Sequence, residues 1–360
     1  MENLNQEIKK EIQKTIVTAQ TNGKATEEEF LAMLKLVSPG TGLRTALEGA
    51  LKAGKGALIV TENEQLMPLI DGGFRLNCRF TPQRLVELTK MDGAIILSKD
   101  LKRVTYANVL LTPDSKIKSS ETGTRHKAAE RTAKQIESLV IAISERKHEI
   151  NLFYKNIKYT LKNTDQVLRK AHEYIQIVEK QRELFDKNLE KLSKMEMKNY
   201  PSLHQSLTVI QKGRMIQKIE QDIKRQLVEL GNEGLLLKTR LKEITSGVEK
   251  ELNFVLKDYT KLDVKKSKVL LDSLTYDEIL DQENILRVLA YENAIQTNPI
   301  KGWRILSHTG LAEADIAKVI KSSGSLGKAL YSKEINYYEI LGEDKASKLA
   351  SEFEKIKLGN

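Results

Sequence analysis

The sequence is poor in cysteine, proline and long apolar runs. Cys78 is the only cysteine in 360 residues, which excludes an intramolecular disulfide and a Cys-x-x-Cys site and suits a reducing cytoplasm. Six prolines and twenty glycines suit a helix-rich chain. The sequence has no apolar run of about 18 residues, so we expect no membrane span. The start, MENLNQEIKKEIQK, is charged throughout and lacks the apolar core of a signal peptide.

Charged residues are abundant by contrast. The chain has 59 Lys and Arg against 49 Asp and Glu, which gives a net charge of +10. This charge permits a polyanion partner such as nucleic acid, although a generally lysine-rich composition gives the same value. The length predicts two or three domains.

The first part of the chain shows short apolar runs of strand length between helical segments. We expect one or two helices over residues 1–35, with Thr26 as an N-cap, and a helix after Thr81-Pro82. Met67–Ile70 contains a proline and is predicted to be an edge segment. Strands interleaved with helices predict a mixed sheet flanked by helices. The predicted strands cover 57–60, 94–98, about 103–111, 139–143, 151–154 and 158–161.

The strand pattern is absent from Thr164 to about Thr260, where apolar residues recur every three or four positions. This spacing predicts a long helix ended by Tyr200-Pro201, a second ending at Gly231 and a third from Gly234 towards Phe254. Next comes a charged, hinge-like stretch over 261–295, with a short helix near its end. We therefore predict a multidomain α/β plus all-α protein. Its predicted domains are 1–160 with the sheet, 161–295 as a helical bundle or stalk, and a helical tail over 296–360.

Asp92-Gly93-Ala94 stands at the mouth of a buried apolar strand. A carboxylate at that position needs a partner, and a metal ion or a ribose hydroxyl could supply one. The small residues that follow allow a flat ligand to approach the backbone closely. An ordinary Asp-Gly turn is the alternative interpretation.

Gly123-Thr124-Arg125-His126-Lys127 stands where a helix is predicted to begin. Free backbone N–H groups make a helix N-terminus a natural phosphate site. Cationic side chains there oppose the helix dipole, so an anionic ligand explains them better than local stability does. A solvated basic turn is the alternative. Neither a Walker A motif nor a GxGxxG motif is present.

These two segments together resemble the DGA and RHR motifs of diadenylate cyclase domains. Gly72-Gly73-Phe74, Tyr106-Ala107-Asn108 and Ser38-Pro39-Gly40-Thr41 are similar to that family as well. The order of parts, with a long helical middle and an end similar to helix-hairpin-helix motifs, resembles the DNA-scanning members of the family. The motifs are specific over residues 36–150 and weaker beyond them.

The resemblance implies an enzyme that condenses two ATP molecules into cyclic di-AMP and releases two pyrophosphates, with Mg²⁺ or Mn²⁺ as cofactor. By similarity, Asp92 binds the metal and helps to activate the 3′-hydroxyl, and it forms the catalytic set with Arg125, His126 and Lys127. Gly93 and Ala94 let the nucleotide lie against the backbone. Leu111 lines the adenine pocket, Ser144 is a further candidate for a phosphate contact, and the phosphates are held by Thr124, Arg125, His126 and Lys127. The sequence departs from the family at two of the nucleotide-binding positions. Lys127 stands where arginine is common, and Ala128 where threonine is common.

The resemblance also implies partners. One domain holds one ATP, so the reaction requires a homo-oligomer, and the family suggests an octamer. Helix hairpins near Gly310 and Gly342 would bind DNA, branched DNA in particular, through backbone N–H groups. Residues 300–360 have ten Lys and Arg against eight Asp and Glu, so a small helical packing domain is the alternative for the tail. For the whole chain, the alternative is a DNA-binding scaffold whose nucleotide site senses ATP without turnover.

Overall fold

The computed structural model describes residues 26–293, 299–332 and 335–358. Most of the helical segment expected over 1–35 therefore lies outside the described residues. The part within them is confirmed, since helix α1 covers Glu27–Leu36. The Thr26 hydroxyl accepts the Glu29 N–H, and the Glu29 carboxylate accepts the Thr26 N–H, at 3.2 and 2.9 Å. This reciprocal capping box explains why the helix begins there.

An eight-stranded mixed sheet forms the centre of the first part of the chain. The strands are β1 Ala57–Thr61, β2 Ile70–Asp71, β3 Phe74–Arg79, β4 Ala94–Leu97, β5 Arg103–Leu111, β6 Val140–Ser144, β7 Glu149–Tyr154 and β8 Ile157–Thr160. Their hydrogen-bonded order is β2-β5-β4-β1-β6-β7-β8, and β3 also pairs with β5. The pair β1 and β4 is parallel, and the other pairs among these strands are antiparallel.

Helices cover both faces of this sheet, which explains the continuous apolar runs of its central strands. Besides α1, the helices of this region are α2 Gly42–Lys52, α3 Pro82–Leu88 and α4 Thr124–Ile136. Side chains alternate along β1: Ile59 packs into the core under α1 and α2, whereas Val60 packs into the core that Ala129 and Ala133 share. The mixed sheet flanked by helices is thus confirmed.

Two details of the sheet differ from the sequence prediction. Strand β3 was not expected, because its residues are mostly exposed and only Cys78 is half-buried. Met67–Leu69 forms a 3-10 helix, and only Ile70–Asp71 pairs at the sheet edge. Pro68 has no N–H to donate, so it cannot extend the hydrogen bonding of the strand Ile70–Asp71 towards the N-terminus.

The chain beyond Thr160 is helical throughout its described part, as predicted. The helices are α5 Thr164–Met197, α6 Leu203–Leu230, α7 Leu235–Thr245, α8 Val248–Tyr259, α9 Val264–Ser273, α10 Tyr276–Leu280 and α11 Gln282–Val288. The prediction of a third long helix was wrong: that helix divides at Gly247, whose φ of +78° ends the first segment. The hinge-like stretch also proved to contain two further helices, each with a side-chain N-cap, Asp263 and Thr275.

The tail consists of short helices separated by tight turns. The helices are α12 Trp303–Ser307, α13 Glu313–Ser323, α14 Leu326–Tyr331, α15 Tyr337–Leu341 and α16 Glu343–Leu358. A turn containing Gly310 separates α12 from α13, and Gly342, with φ of +79°, separates α15 from α16.

By their contacts, the residues group into two compact units. One takes the described residues up to Arg169 together with Arg225–Leu235, and the other takes Lys170–Lys224 together with the described residues from Leu236 onward. The three consecutive domains proposed from the sequence stay a prediction. Within the described ranges, no helix combines the length and the apolar character that a bilayer crossing requires.

Candidate active site

An open cleft of about 580 Å³ lies within the first unit, where the start of β4 and the start of α4 come together. The volume falls in the range of small-molecule sites, which is about 300 to 1,000 Å³. The cleft is lined by Leu58, Gly93, Ala94, Val109, Leu110, Leu111, Gly123, Thr124, Arg125, His126, Ala128, Ser144, Glu145 and Arg146. Two segments that are thirty residues apart in the sequence therefore share one cavity.

Gly93 brings the backbone of β4 against that of β5. Its φ is +86°, and a Cβ at this position would lie 2.8 Å from the carbonyl carbon of Asn108 and 2.9 Å from the nitrogen of Val109. Asn108 itself has a φ of +56°, and the β4–β5 register shifts along this stretch. The irregular strand and the bare glycine together form one wall of the cleft, so the glycine is required by packing as well as by backbone conformation.

The start of α4 forms the opposite wall. Its N-cap is Gly123, which has no side chain to satisfy the first N–H groups of the helix. Thr124 is exposed at this end. These free donors, together with the helix dipole, favour an anion in the cleft.

Arg125 occupies space that the absence of a side chain at Gly56 provides. A Cβ on Gly56 would lie 2.1 Å from Nη1 of Arg125 and 2.9 Å from its Cζ. The guanidinium therefore lies directly over the backbone that leads into β1. The half-buried arginine adds a fixed positive charge to the wall formed by α4.

His126 is half-buried between α4 and the sheet. Its ring meets Phe153 edge-on, with 6.3 Å between the ring centroids. Burial lowers the pKa of His126; Glu121 opposes this effect, and the nearby cations Lys158 and Arg125 reinforce it. The lowered pKa favours the neutral imidazole, which contributes to the cleft as a hydrogen-bond donor or acceptor.

Asp92 and Lys127 are exposed and do not line the cleft, although each directly adjoins a residue that does. No group of three or more His, Cys, Asp or Glu side chains able to hold a metal occurs among the residues described. Mg²⁺ is commonly held by one or two carboxylates together with substrate phosphates and water. The exposed Asp92 carboxylate beside this cleft therefore fits a cation that binds together with a nucleotide.

The other residues predicted from the sequence do meet in this cavity: the cleft brings together Gly93, Ala94, Leu111, Thr124, Arg125, His126, Ala128 and Ser144. The cleft also contains residues that the sequence did not predict, namely the charged Glu145 and Arg146 and the apolar Leu58, Val109 and Leu110. The charged pair could have been predicted from its position in the sequence, because Glu145-Arg146 directly follows the buried strand β6. Ligands in such sheets bind at strand ends.

A second cleft, of about 280 Å³, lies in the other unit. Its charged groups already pair with one another. Lys224 binds Glu220 at 3.0 Å, and Arg214 binds Asp272 through a short ion pair. The charges of this cleft therefore satisfy each other to a larger extent than those of the cleft beside α4, and we place the candidate active site in the first unit.

We expect Gly93→Ala to abolish nucleotide binding and to destabilise the first unit. The added methyl group combines an unfavourable φ, which costs roughly 1 to 2 kcal/mol, with a backbone clash that the sheet must move to relieve. Gly54→Ala is the matched control, because Gly54 has a φ of +65° and no atom lies within 4 Å of the position that its Cβ would take. Thermal melting and ATP titration of both variants measure the difference. Equal losses in the two variants would show that the close contact with β5 is unimportant.

Comparison with known proteins agrees with this architecture. Residues 44–157 match the family model described as "DisA bacterial checkpoint controller nucleotide-binding". Residues 161–298 match the one described as "DisA bacterial checkpoint controller linker region". The cleft lies wholly within the first of these matches, so the candidate site is in a nucleotide-binding domain of the bacterial checkpoint-controller class.

Full-length relatives extend the match to most of the chain. The DNA integrity scanning protein DisA of Bacillus subtilis (strain 168) is 36% identical over 346 residues, covering 93% of this chain and 96% of that protein. DisA of Carboxydothermus hydrogenoformans is 37% identical over 343 residues, covering 92% and 97%. DisA of Clostridium acetobutylicum is 35% identical over 340 residues, covering 92% and 95%. The chain belongs to the DisA family, and the resemblance seen in its motifs is confirmed.

Proposed function

We propose that the chain is a diadenylate cyclase, which joins two ATP molecules into cyclic di-AMP. The observation that carries this proposal is the shared cleft, where Gly93 and Ala94 from the start of β4 face the cationic N-terminus of α4. The small residues Gly93 and Ala94 let a nucleoside lie against one wall of the cleft. The free N–H groups and positive charge at the start of α4, on the opposite wall, suit its phosphates. Membership of the DisA family supports the same activity.

In the proposed reaction, the 3′-oxygen of each ATP attacks the α-phosphorus of the other. A new P–O bond forms, the bond to the β-phosphate oxygen breaks, and the 3′-hydroxyl loses its proton. Two such steps close the ring and release two pyrophosphates. Catalysis of a phosphoryl transfer of this type rests on positioning and on stabilisation of phosphate charge.

The residues of the cleft suit these tasks. The Thr124 hydroxyl and the free N–H groups at the start of α4 would hold phosphate oxygens, while Arg125 would place a fixed cation beside them. Lys127 would supply charge from the rim without the two-point contact of an arginine. Leu111, 7% exposed, would pack against the base, and Ser144 would offer a hydroxyl from the end of β6.

Asp92 would hold the divalent cation, Mg²⁺ or Mn²⁺, at the edge of the cleft. When bound, the cation supplies positive charge to the phosphates and polarises the attacking hydroxyl. Asp92 is exposed, so its carboxylate can reach a cation without prior desolvation.

The reaction requires two clefts that face each other, because one cleft holds one ATP. Two apolar side chains near the cleft are unusually exposed, namely Leu110 at 61% and Phe74 at 54%. Leu110 lines the cleft, and β3, which carries Phe74, pairs with the same strand β5. An exposed apolar surface at this position suits contact with a second copy. The octamer suggested by the family remains a proposal, which light scattering coupled to gel filtration tests directly.

DNA, branched DNA in particular, is the proposed partner of the tail. The N–H groups of Gly302, Trp303 and Arg304 are not available to a phosphate, because Asp258 accepts all three at 2.8 to 3.0 Å. The start of α13 is the better candidate, since its N-cap Ala312 has no capping side chain. The acids of its first turn, Glu313 and Asp315, are paired with Lys257 and Lys345. Gly342 is followed directly by Glu343 and Asp344, which oppose a phosphate at the second turn.

A single assay tests the proposed activity. The full chain is incubated with ATP and Mg²⁺ or Mn²⁺, and the products are separated by ion-exchange chromatography. Cyclic di-AMP and two equivalents of pyrophosphate are expected. Binding of ATP without any product would instead favour the alternative, a DNA-binding scaffold that senses ATP. Repeating the assay with branched DNA, over a range of salt concentrations, tests whether the tail affects the rate.

A further inference from the structure

Asn151 is a polar residue within a buried strand. It is 3% exposed, and its neighbours along β7 are the buried residues Ile150 and Leu152. A buried amide normally requires hydrogen-bond partners for both of its ends. Asn151 has two such partners, Thr160 on β8 and His126 on α4.

The register of the sheet places these three residues together. Asn151 lies directly opposite Thr160 in the β7–β8 pair. The Thr160 hydroxyl donates to Oδ1 of Asn151 at 2.6 Å. The amide oxygen is thereby engaged, and the NH₂ group is directed towards Nε2 of His126, which lies 3.3 Å away.

This arrangement selects one tautomer of the imidazole. With the amide in this orientation its NH₂ group donates, so Nε2 of His126 accepts with its lone pair and the ring proton resides on Nδ1. Nδ1 lies on the side of Gly123, 3.8 Å from the position that a Cβ on Gly123 would take. Gly123 lines the cleft, so the Nδ1–H group is available where phosphates are proposed to bind.

Two further contacts hold the same parts in place. Phe153 follows Asn151 by two residues on β7, hence on the same face of the strand, and it packs edge-on against the His126 ring. On β8, the Tyr159 hydroxyl donates to the buried Glu229 carboxylate at 2.5 Å. The strand that carries Thr160 is thereby anchored immediately next to it.

We propose that Asn151 and Thr160 are positioning residues, which hold His126 as the neutral Nδ1–H imidazole so that it donates a hydrogen bond to a nucleotide phosphate. The proposal rests on the proposed function. Neither residue is among those that line the cleft in the described part of the chain, so both act through His126. The family motifs recognised in the sequence include neither residue.

The first test measures His126 without any substrate. Exchange of the imidazole C2 hydrogen for deuterium, followed by mass spectrometry of the full chain, gives the pKa of each histidine. In Thr160→Val, the amide is free to turn over and present its oxygen to Nε2–H, which stabilises the imidazolium. We therefore expect a higher pKa of His126 than in the unmodified protein. Thr160→Ser keeps the hydroxyl and should leave the pKa unchanged.

The charged groups that face His126 are Glu121, Lys158, Arg125 and Lys147. They are the same in the unmodified protein and in both Thr160 variants. A second variant, Asn151→Asp, places a carboxylate opposite Nε2 and should raise the pKa of His126 more strongly than Thr160→Val. Thr105→Val is the matched control, because its hydroxyl donates to the Ile96 carbonyl on another strand pair. An unchanged pKa of His126 in both Thr160→Val and Asn151→Asp would overturn the proposal, as would an equal rise in Thr105→Val.

The second test measures turnover. Loss of one orienting hydrogen bond should reduce kcat of Thr160→Val about fivefold, with a smaller change in KM for ATP, and Thr160→Ser should restore it. The two tests separate the two proposals. If the unmodified protein forms no cyclic di-AMP, the proposed function fails, while the exchange experiment still decides whether Asn151 and Thr160 control the protonation of His126.

Discussion

Asp92→Asn is expected to reduce cyclic di-AMP formation at least about a hundredfold, because it removes the one carboxylate proposed to hold the divalent cation. The folded structure should be retained, since Asp92 is exposed and exposed substitutions usually change stability by less than about 0.5 kcal/mol. Chromatography of the products after incubation with ATP and Mn²⁺ measures the loss. Titration with ATP alone should show that nucleotide binding without metal is largely kept.

Asp100→Asn provides the control for this experiment. Asp100 is also exposed, and it lies just beyond the opposite end of β4, where its carboxylate accepts from the Ser98 hydroxyl at 2.6 Å. The substitution changes the charge of the same region without approaching the cleft, so turnover should be unaffected. Product formation by Asp92→Asn at the rate of the unmodified protein would contradict the assignment of Asp92.

Arg304→Met is expected to cause the largest loss of stability, about 3 to 5 kcal/mol. Arg304 and Glu196 are both about 1% exposed, and they form a short ion pair. Arg304 also donates to the Ser193 hydroxyl at 2.8 Å, and Tyr259 donates to Glu196 at 2.9 Å. Removal of the guanidinium leaves a buried carboxylate without its cation, which costs more than the pair itself contributes.

Urea unfolding followed by circular dichroism measures this effect. Arg287→Met is the matched control, since Arg287 and Glu283 form a pair whose side chains are 72% and 73% exposed, and such pairs contribute little. The double variant Arg304→Met with Glu196→Leu should recover most of the loss, because no buried charge remains unpaired. A double variant as unstable as Arg304→Met would show that packing, and not charge, is responsible.

The same pair predicts a dependence on pH. Burial raises the pKa of Glu196 to about 7, and Arg304 opposes that rise. The folded state therefore binds an extra proton between the ordinary pKa of glutamate and about 7. This contribution to stability is present at low pH and is lost as the pH rises towards 7. Without Arg304 the pKa of Glu196 rises further, so this carboxyl group is protonated, and therefore uncharged, over a wider pH range. The loss of unfolding free energy in Arg304→Met should therefore be smaller at about pH 5 than at about pH 8.

The sequence predicted the buried elements well because their apolar patterns are regular. Strands β1, β4 and β6 are continuous apolar runs, and α5 has a clear amphipathic spacing. Strand β3 was missed because it lies at the sheet edge with exposed Arg75 and Arg79, so burial imposes no pattern on it. The helices after Asp263 and Thr275 were missed because they are short and charged, although both capping residues were present in the sequence.

The candidate site could be predicted only as two separate motifs. Their meeting depends on the sheet order, which places β4 next to β1 and β1 next to β6, and no periodicity in the sequence encodes that order. Asn151 gave a weak signal, as a lone amide in the run Ile150–Phe153, where burial demands partners. The identity of those partners follows from strand register, which requires the structure.

The single tryptophan of the chain, Trp303, lies in the tail, with the ammonium of Lys257 4.3 Å from its ring centroid and its backbone N–H bound by Asp258. Intrinsic emission excited at the red edge of indole absorption therefore originates from the first tail helix alone. The first unit has no tryptophan, so a change in that emission when ATP is added would be a direct optical record of communication between the nucleotide cleft and the tail.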